Sequence, residues 1–137
     1  RVKDGVRFYN DSIASSPSRT IAGLRSFPEQ VILIAGGYDK HIPYDVLGPE
    51  ICKHVKKLFL GGATGPKIRA AVEAAPEYAP GEPEIVDCKD FTEATLAAAK
   101  AAESGDVVLM SPASAAFDQF KNFMVRGEYY KKLIKEL

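Results

Sequence analysis

The stretch that decides the fold is Val31-Ile32-Leu33-Ile34-Ala35-Gly36-Gly37-Tyr38-Asp39-Lys40. Its first four residues are all large and aliphatic, whereas a half-exposed strand would alternate, so they predict a strand buried on both faces of a parallel sheet. Gly36 and Gly37 allow a sharp turn and a close approach of another group to the backbone. Asp39 and Lys40 follow the carboxyl end of this strand, where open α/β sheets bind ligands. The stretch alone fits a ligand site and a plain polar turn equally well.

Length and composition are those of one folded domain. The chain has 137 residues, 46% hydrophobic and 26% charged, and its formal net charge is zero. This composition is typical of a globular domain, and zero net charge provides no attraction for nucleic acid or an anionic membrane. The apolar runs are too short to span a bilayer, and residues 1–10 lack the apolar core of a signal peptide. Cys52 and Cys88 lack metal-site spacing and are expected to be reduced.

Strand-like and helix-like segments alternate along the rest of the chain. Besides the strand from Val31, strands are predicted at residues 6–10, 55–60, 84–86 and 106–110. Helices are predicted from Pro17 onward, at 44–53 with a kink at Gly48-Pro49, at 68–74 and at 91–103. This alternation predicts an α/β fold, a Rossmann-like three-layer sandwich with a mostly parallel central sheet. No dinucleotide-binding glycine fingerprint follows a strand, which disfavours an oxidoreductase.

Three loops are expected to meet at the carboxyl edge of this sheet, namely residues 11–15, 36–40 and 111–117. The first runs into Ser16-Pro17, a helix-start signal in which the serine hydroxyl would cap the helix. A positive helix end beside polar side chains suits an anion, although a capping cluster that only closes the helix explains the same residues.

Two other segments have possible chemistry that the residues do not favour. The glycine-rich segment 61–67 lacks the Gly-Lys-Ser/Thr ending of a P-loop, and Pro66 removes an N–H, so a plain strand-to-helix turn is favoured over a phosphate site. The spacing of Phe117, Phe120 and Phe123 predicts one apolar helical stripe, which is more typical of a core than of a ligand clamp. No Ser-His-Asp or Cys-His arrangement is evident, which disfavours nucleophilic hydrolysis.

Three motifs together resemble a known family. They are Phe8-Tyr9-Asn10-Asp11-Ser12-Ile13-Ala14-Ser15-Ser16, Ala35-Gly36-Gly37-Tyr38-Asp39-Lys40, and Ser111-Pro112-Ala113-Ser114-Ala115-Ala116-Phe117-Asp118-Gln119-Phe120-Lys121-Asn122-Phe123 followed by Arg126-Gly127. In this order and spacing they resemble the C-terminal domain of the ATP-dependent Mur ligases, specifically the members that add D-glutamate to UDP-N-acetylmuramoyl-L-alanine. The resemblance covers essentially the whole chain, so residues 1–137 are expected to form a single amino-acid-binding domain.

The resemblance implies a three-domain, monomeric, cytoplasmic enzyme of peptidoglycan synthesis that binds neither nucleic acid nor membrane. An N-terminal UDP-binding domain and a central ATP-binding domain, which would hold most of the ATP and the Mg²⁺, are absent from these 137 residues. The family reaction activates the L-alanine carboxylate as an acyl phosphate, which the D-glutamate amine attacks. No catalytic residue is expected in the present domain, and alone it should be inactive.

The resemblance also implies six site residues: Asp11, Ser15, Lys40, Ala116, Phe117 and Phe123. Asp11 would contact ATP. Ser15 would bind D-glutamate through its hydroxyl, and Lys40 would pair with a D-glutamate carboxylate, as a point charge at a sheet edge can. Ala116 matches a position, often serine, that helps hold the other carboxylate. Phe117 and Phe123 would line the pocket, with the Phe117 N–H available as a donor.

The chain departs from the family pattern at two positions. Ile13 stands where many members have lysine, which removes a cationic contact to ATP phosphate. Ala116 lacks the usual serine hydroxyl, so D-glutamate would be held there by backbone N–H groups, by Ser114 or by another residue. Losing one neutral hydrogen bond costs about 1 kcal/mol, which binding can survive. The alternative function is a stand-alone small-anion-binding α/β module without catalysis.

Overall fold

The decisive stretch forms an inner strand whose five residues are all buried. The computed structural model describes residues 2–116 and 119–137. The strands are β1 (Val2–Lys3), β2 (Val6–Asn10), β3 (Val31–Ala35), β4 (Val55–Leu60), β5 (Glu84–Asp87) and β6 (Val107–Met110). The helices are α1 (Pro17–Arg25), α2 (Leu47–His54), α3 (Gly65–Ala74), α4 (Phe91–Ala101) and α5 (Phe123–Lys135).

The strands form one six-stranded sheet in the order β1-β2-β6-β3-β4-β5. All neighbouring strands are parallel except β1, which pairs antiparallel with β2. Strand β6 comes last in the chain, yet it lies between β2 and β3. Because these strands are parallel, the loops that follow them leave from one edge of the sheet, with the loop after β6 in the middle.

Each face of the sheet carries its own core, which confirms the predicted three-layer α/β fold. Val31, Leu33 and Ala35 pack with residues of α1, α2 and α3 on one face. Ile32 and Ile34 face the other way and pack with residues of α4 and α5. Replacing a buried isoleucine by alanine costs about 2–5 kcal/mol, so a polar residue anywhere in β3 would be strongly destabilising. The unbroken aliphatic run is therefore a consequence of burial on both faces.

Two helix starts differ from the predictions. Helix α2 begins at Leu47, so Pro49 falls in its first turn. No intrahelical partner exists there for a backbone N–H, and the predicted kink is therefore unnecessary. Ser16 does precede α1, but its hydroxyl makes no capping hydrogen bond and instead lies 3.3 Å from the Ser18 hydroxyl.

Helix α5 was not predicted, and its start divides the phenylalanines that the sequence places on one stripe. Asn122 caps it by accepting a hydrogen bond from the Val125 N–H at 2.9 Å. Phe120 therefore lies before the helix and packs edge-to-face on Phe91, with ring centroids 5.4 Å apart. Phe123 opens the helix and is 37% exposed. The predicted single stripe is wrong for these two residues, and Phe117 lies outside the described residues.

Within the described part of the chain, no helix combines the length and the apolar character needed to cross a lipid bilayer.

Candidate functional site

Backbone hydrogen bonds join the three predicted loops at the carboxyl edge of the sheet. The Ala113 N–H donates to the Ala14 carbonyl at 2.9 Å, which connects the third loop to the first. The Tyr38 N–H donates to the Ala115 carbonyl, also at 2.9 Å, which connects the second loop to the third. The loop after β6 is thus held between the other two, as its central strand position requires, and the expected convergence is observed.

The buried side chain of Arg126 also links two of these loops. It comes from α5 and is only 1% exposed. Its Nε donates to Ser12 Oγ at 2.9 Å and its Nη2 to the Ser12 carbonyl at 2.7 Å. Its Nη1 donates to the Ser114 carbonyl at 2.8 Å. One buried guanidinium therefore binds the first and third loops together. The sequence marked Arg126 as part of a motif but gave it no role.

A second buried network joins the loops on the opposite face. Thr64 Oγ1 accepts from the Gly37 N–H at 2.9 Å and lies 2.8 Å from Ser114 Oγ. The Tyr44 hydroxyl completes this hydrogen-bond network and lies 2.9 Å from Ser114 Oγ. Ser114 is 1% exposed and its hydroxyl is already engaged twice. Of the three alternatives for holding D-glutamate at Ala116, the Ser114 hydroxyl is therefore disfavoured, because it would have to exchange an internal partner for the ligand.

The glycine-rich segment 61–67 is a packing element. A Cβ built on Gly36, whose φ is +109°, would lie 1.9 Å from the Gly61 carbonyl oxygen. A Cβ on Gly62 would lie 2.9 Å from Gly37 Cα. The Thr64 N–H donates to the Gly37 carbonyl at 3.1 Å. The two turns pack backbone against backbone, which only glycine permits, and this supports the plain turn that the sequence favours.

Asp11 follows β2 and is partly buried. Its Oδ2 accepts a hydrogen bond from Ser111 Oγ at 2.7 Å, and a Cβ on Gly23 would lie 2.8 Å from the same oxygen. Burial raises the pKa of the Asp11 carboxyl above its usual range, against the opposing effects of the Ser111 hydrogen bond and the Arg19 guanidinium. A cavity of about 450 Å³ opens beside it, with Arg19 and Phe27 in its wall. The carboxylate is therefore fixed at the rim of a space with both cationic and aromatic surfaces.

Ser15 lies at the end of the first loop and is half-buried. Its N–H donates to the Ile13 carbonyl at 2.8 Å, while its hydroxyl makes no hydrogen bond to any residue in 2–116 or 119–137. The hydroxyl is thus available to a ligand. Ile13 is 50% exposed, so an apolar surface stands where the family often has a cation.

Lys40 is exposed and forms no ion pair with the described residues. The nearby carboxylate of Asp39 is occupied elsewhere: its Oδ2 lies 2.6 Å from Lys67 Nζ, and its Oδ1 accepts from the His41 N–H at 2.7 Å. These contacts, the Lys67 hydrogen bond first, lower the pKa of the Asp39 carboxyl. Because Lys67 neutralises Asp39, the ammonium of Lys40 is left for an external anion.

The remaining predicted site residues differ in what the structure reports of them. Ala116 is buried, and its carbonyl accepts from the Phe120 N–H at 2.8 Å. The Phe123 carbonyl accepts from Ser12 Oγ at 2.7 Å, which attaches the start of α5 to the first loop while the ring stays partly exposed. Phe117 falls outside the described residues, and its predicted donor role stays a prediction.

The arrangement is suited to binding an anionic ligand. It offers the Lys40 ammonium, the Ser15 hydroxyl and the fixed Asp11 carboxylate on loops held by buried hydrogen bonds. Within residues 2–116 and 119–137, no group of three or more His, Cys, Asp or Glu side chains is placed to hold a metal ion. Among those residues, therefore, no donor set fits a resident Mg²⁺.

A family model and individual relatives of known name match the same kind of ligase. The family model described as Mur ligase, glutamate ligase domain, matches residues 1–114. The UDP-N-acetylmuramoylalanine–D-glutamate ligase of Acetivibrio thermocellus is 53% identical over 136 residues, which are 98% of this chain and 29% of that protein. The enzyme of the same name from Clostridium botulinum is 49% identical over 137 residues, 100% of this chain and 30% of that protein. The chain thus spans about three tenths of the relatives' length.

A solved structure shares the fold. It is a crystallised domain from Haemophilus ducreyi, ascribed to a UDP-N-acetylmuramate:L-alanyl-gamma-D-glutamyl-meso-diaminopimelate ligase. The two structures superpose with a TM-score of 0.62 at 16% identity, over 99% of this chain and 94% of that one. At this identity the likeness supports the α/β architecture alone.

Proposed function

We propose, since this chain belongs to the glutamate ligase domain family of the Mur ligases, that it is the D-glutamate-binding C-terminal domain of an ATP-dependent ligase. The complete enzyme would join D-glutamate to UDP-N-acetylmuramoyl-L-alanine in the cytoplasm, as a monomer, during peptidoglycan synthesis. The observation that carries the proposal is Lys40, an exposed ammonium with no ion pair to the described residues, on a loop hydrogen-bonded into the sheet edge. The matches to named ligases favour this function over an anion-binding module without catalysis.

The charge of Lys40 fits one carboxylate of the amino acid. D-Glutamate brings two carboxylates to the site, and a lysine ammonium is a compact donor for one of them. Ser15 adds a hydroxyl that has no partner among the described residues. Lys67 has the same charge but is held by Asp39 at 2.6 Å. Lys40 and Ser15 are therefore the ligands that we assign to one end of D-glutamate.

The other end of D-glutamate would be held mainly by backbone groups. Ala116 provides no hydroxyl, and the Ser114 hydroxyl is engaged with Tyr44 and Thr64. We assign this end to the segment of Ala116 and Phe117, with the Phe123 ring as an apolar wall. Backbone N–H groups on a constrained loop bind a carboxylate without any side-chain entropy cost.

Asp11 would face the nucleotide. A carboxylate at the rim of a cavity is suited to accept hydrogen bonds from ribose hydroxyls or from an adenine amino group. By family membership, the P-loop and the Mg²⁺ ligands would belong to the central domain of the complete enzyme. The present domain would therefore contribute binding and orientation, and no residue of it would take or give a proton in the reaction.

The reaction would proceed in two steps. ATP would transfer its γ-phosphoryl group to the L-alanine carboxylate, which forms an acyl phosphate and ADP. The D-glutamate amine would then attack the acyl carbon, which forms the amide and releases phosphate and a proton. Loops held rigidly at the sheet edge would orient the amine toward this carbon, and such orientation accounts for much of the rate enhancement in bimolecular reactions.

The test is an activity assay on the full-length gene product with ATP, Mg²⁺, UDP-N-acetylmuramoyl-L-alanine and a panel of D-glutamate, L-glutamate, D-aspartate and L-lysine. We expect phosphate release and amide formation with D-glutamate and little or none with the other three. Turnover with L-lysine in preference to D-glutamate would contradict the assignment of Lys40, because a cationic side chain cannot pair with an ammonium. If none of the four amino acids supports turnover, the proposed ligase function is rejected.

A further inference from the structure

We propose that Arg126, together with Gly127, is a positioning residue that sets the geometry of the D-glutamate site. This inference rests on the function proposed above and extends it to two residues that have no role there. Arg126 is 1% exposed, so its guanidinium acts on a ligand only through the loops that it binds.

All three nitrogen atoms of the guanidinium contact site loops. Nε and Nη2 reach the hydroxyl and the carbonyl of Ser12, at 2.9 and 2.7 Å, and Nη1 reaches the Ser114 carbonyl at 2.8 Å. The planar fork of an arginine holds these acceptors at fixed angles, whereas a lysine ammonium is a single centre on a flexible stem. Burying a charge is costly unless it is well hydrogen-bonded. The buried position of the Arg126 guanidinium therefore indicates that its role is to hold the loops in a fixed geometry.

The bound positions are close in sequence to the proposed ligand contacts. Ser12 is three residues before Ser15 and follows Asp11 directly. Ser114 is two residues before Ala116. The second loop passes nearby, because a Cβ built on Gly37 would be 3.5 Å from Nη1. One side chain thus hydrogen-bonds two loops of the site and lies close to the third.

Gly127 allows the approach that Arg126 needs. A Cβ at this position would lie 2.8 Å from Asn10 Nδ2 and 3.3 Å from Ser12 Cβ. Any larger residue would push α5 away from the first loop and would lengthen the Arg126 hydrogen bonds. The two residues therefore act together. Gly127 allows α5 to lie close to the first loop, and Arg126 hydrogen-bonds the first and third loops.

The experiment compares Arg126→Lys with Ile134→Ala in the full-length enzyme. Ile134 lies on the same helix, eight residues after Arg126, is 2% exposed and belongs to the hydrophobic core, so it provides a destabilised variant whose side chain makes none of the hydrogen bonds to the loops. Each variant is assayed below its unfolding temperature for the KM of D-glutamate, the KM of UDP-N-acetylmuramoyl-L-alanine and kcat. Hydrogen exchange is measured for peptides that cover residues 10–15 and 111–116.

For Arg126→Lys we expect the KM of D-glutamate to rise roughly tenfold or more, because misplacement of a binding group by about 1 Å has effects of this order. The KM of the nucleotide-linked substrate should change by less than about twofold, since another domain would bind it. Both loop peptides should exchange faster than in Ile134→Ala. Equal KM values for D-glutamate in the two variants, or unchanged loop exchange in Arg126→Lys, would overturn the inference.

The two proposals fail in distinguishable ways. If the wild-type enzyme does not use D-glutamate, the proposed function fails, and the positioning role that depends on it is overturned with it, whatever the loops do in hydrogen exchange. If the wild type does ligate D-glutamate and Arg126→Lys has a normal KM, the function stands and the positioning role is rejected.

Discussion

Replacing Lys40 by alanine should weaken the binding of D-glutamate and leave the stability of the protein nearly unchanged. Lys40 is exposed and has no ion pair with the described residues, so its removal should change the free energy of unfolding by no more than about 0.5 kcal/mol. The same side chain would form a charge-assisted hydrogen bond to D-glutamate. Such a bond is worth about 1.5–3 kcal/mol.

That energy translates into a rise of roughly ten- to 150-fold in the KM of D-glutamate, if the lost bond is equally strong in the ground and transition states. The assay is phosphate release by the full-length enzyme with D-glutamate varied, beside a thermal unfolding curve of each variant. Lys100→Ala is the matched control, since Lys100 is an exposed lysine in the last turn of α4, beside Val6 at the start of β2 and therefore at the sheet edge opposite the three loops.

Two results would refute this reasoning. An unchanged KM for D-glutamate in Lys40→Ala would remove Lys40 from the site. A KM for UDP-N-acetylmuramoyl-L-alanine that rises in step with the KM for D-glutamate would indicate general damage to the enzyme, because the nucleotide-linked substrate has no proposed contact with Lys40. Lys40→Arg should recover part of the affinity, since it keeps the charge but changes its geometry.

Three further predictions concern the loops and the domain. Gly36→Ala should destabilise the 137-residue chain by about 2 kcal/mol or more, because it combines a φ of +109° with a contact of 1.9 Å to the Gly61 carbonyl. Gly105→Ala, with a φ of +96° and no atom within 4 Å, should cost less in the same melting experiment, and equal losses would contradict the steric argument. Asp11→Asn should raise the Tm at pH 7, because burial raises the pKa of the Asp11 carboxyl and its ionised form is disfavoured in the folded state. This gain should shrink as the pH falls through the raised pKa toward 3.8, and a gain that grows on acidification would exclude the burial explanation. The isolated chain should show no ligase turnover, and any ATP-dependent amide formation by it would mean that the nucleotide site lies here.

Several features of the fold follow from local sequence. The aliphatic run from Val31 has no polar position that could face water, so a strand buried on both faces is its only stable use. The start of α4, predicted at residue 91, is also local, because Asp90 lies directly before the helix and its Oδ1 accepts a hydrogen bond from the Glu93 N–H at 2.9 Å. Lys40 is expected at the sheet edge because parallel strands end on one side.

Other features depend on contacts between residues far apart in the chain. Arg126 meets Ser12 across a sequence separation of 114 residues, and no local pattern encodes that pairing. Ser114 has an ordinary sequence environment, and only the tertiary structure shows that its hydroxyl is hydrogen-bonded to Tyr44 and Thr64. Phe120 and Phe123 share helical spacing, yet the Asn122 cap assigns them to different environments.

The sequence by itself therefore determined the sheet, its buried strand and the end at which the loops lie, because burial and strand direction are read from neighbouring residues. The tertiary structure alone decided which polar groups remain for a ligand. Ser15 and Lys40 keep their polar ends free of the described residues, whereas Ser114 and Lys67 are taken up by internal partners. Hydrogen-bond and ion-pair partners are assigned by proximity in space, and that proximity exists only after the sheet has formed.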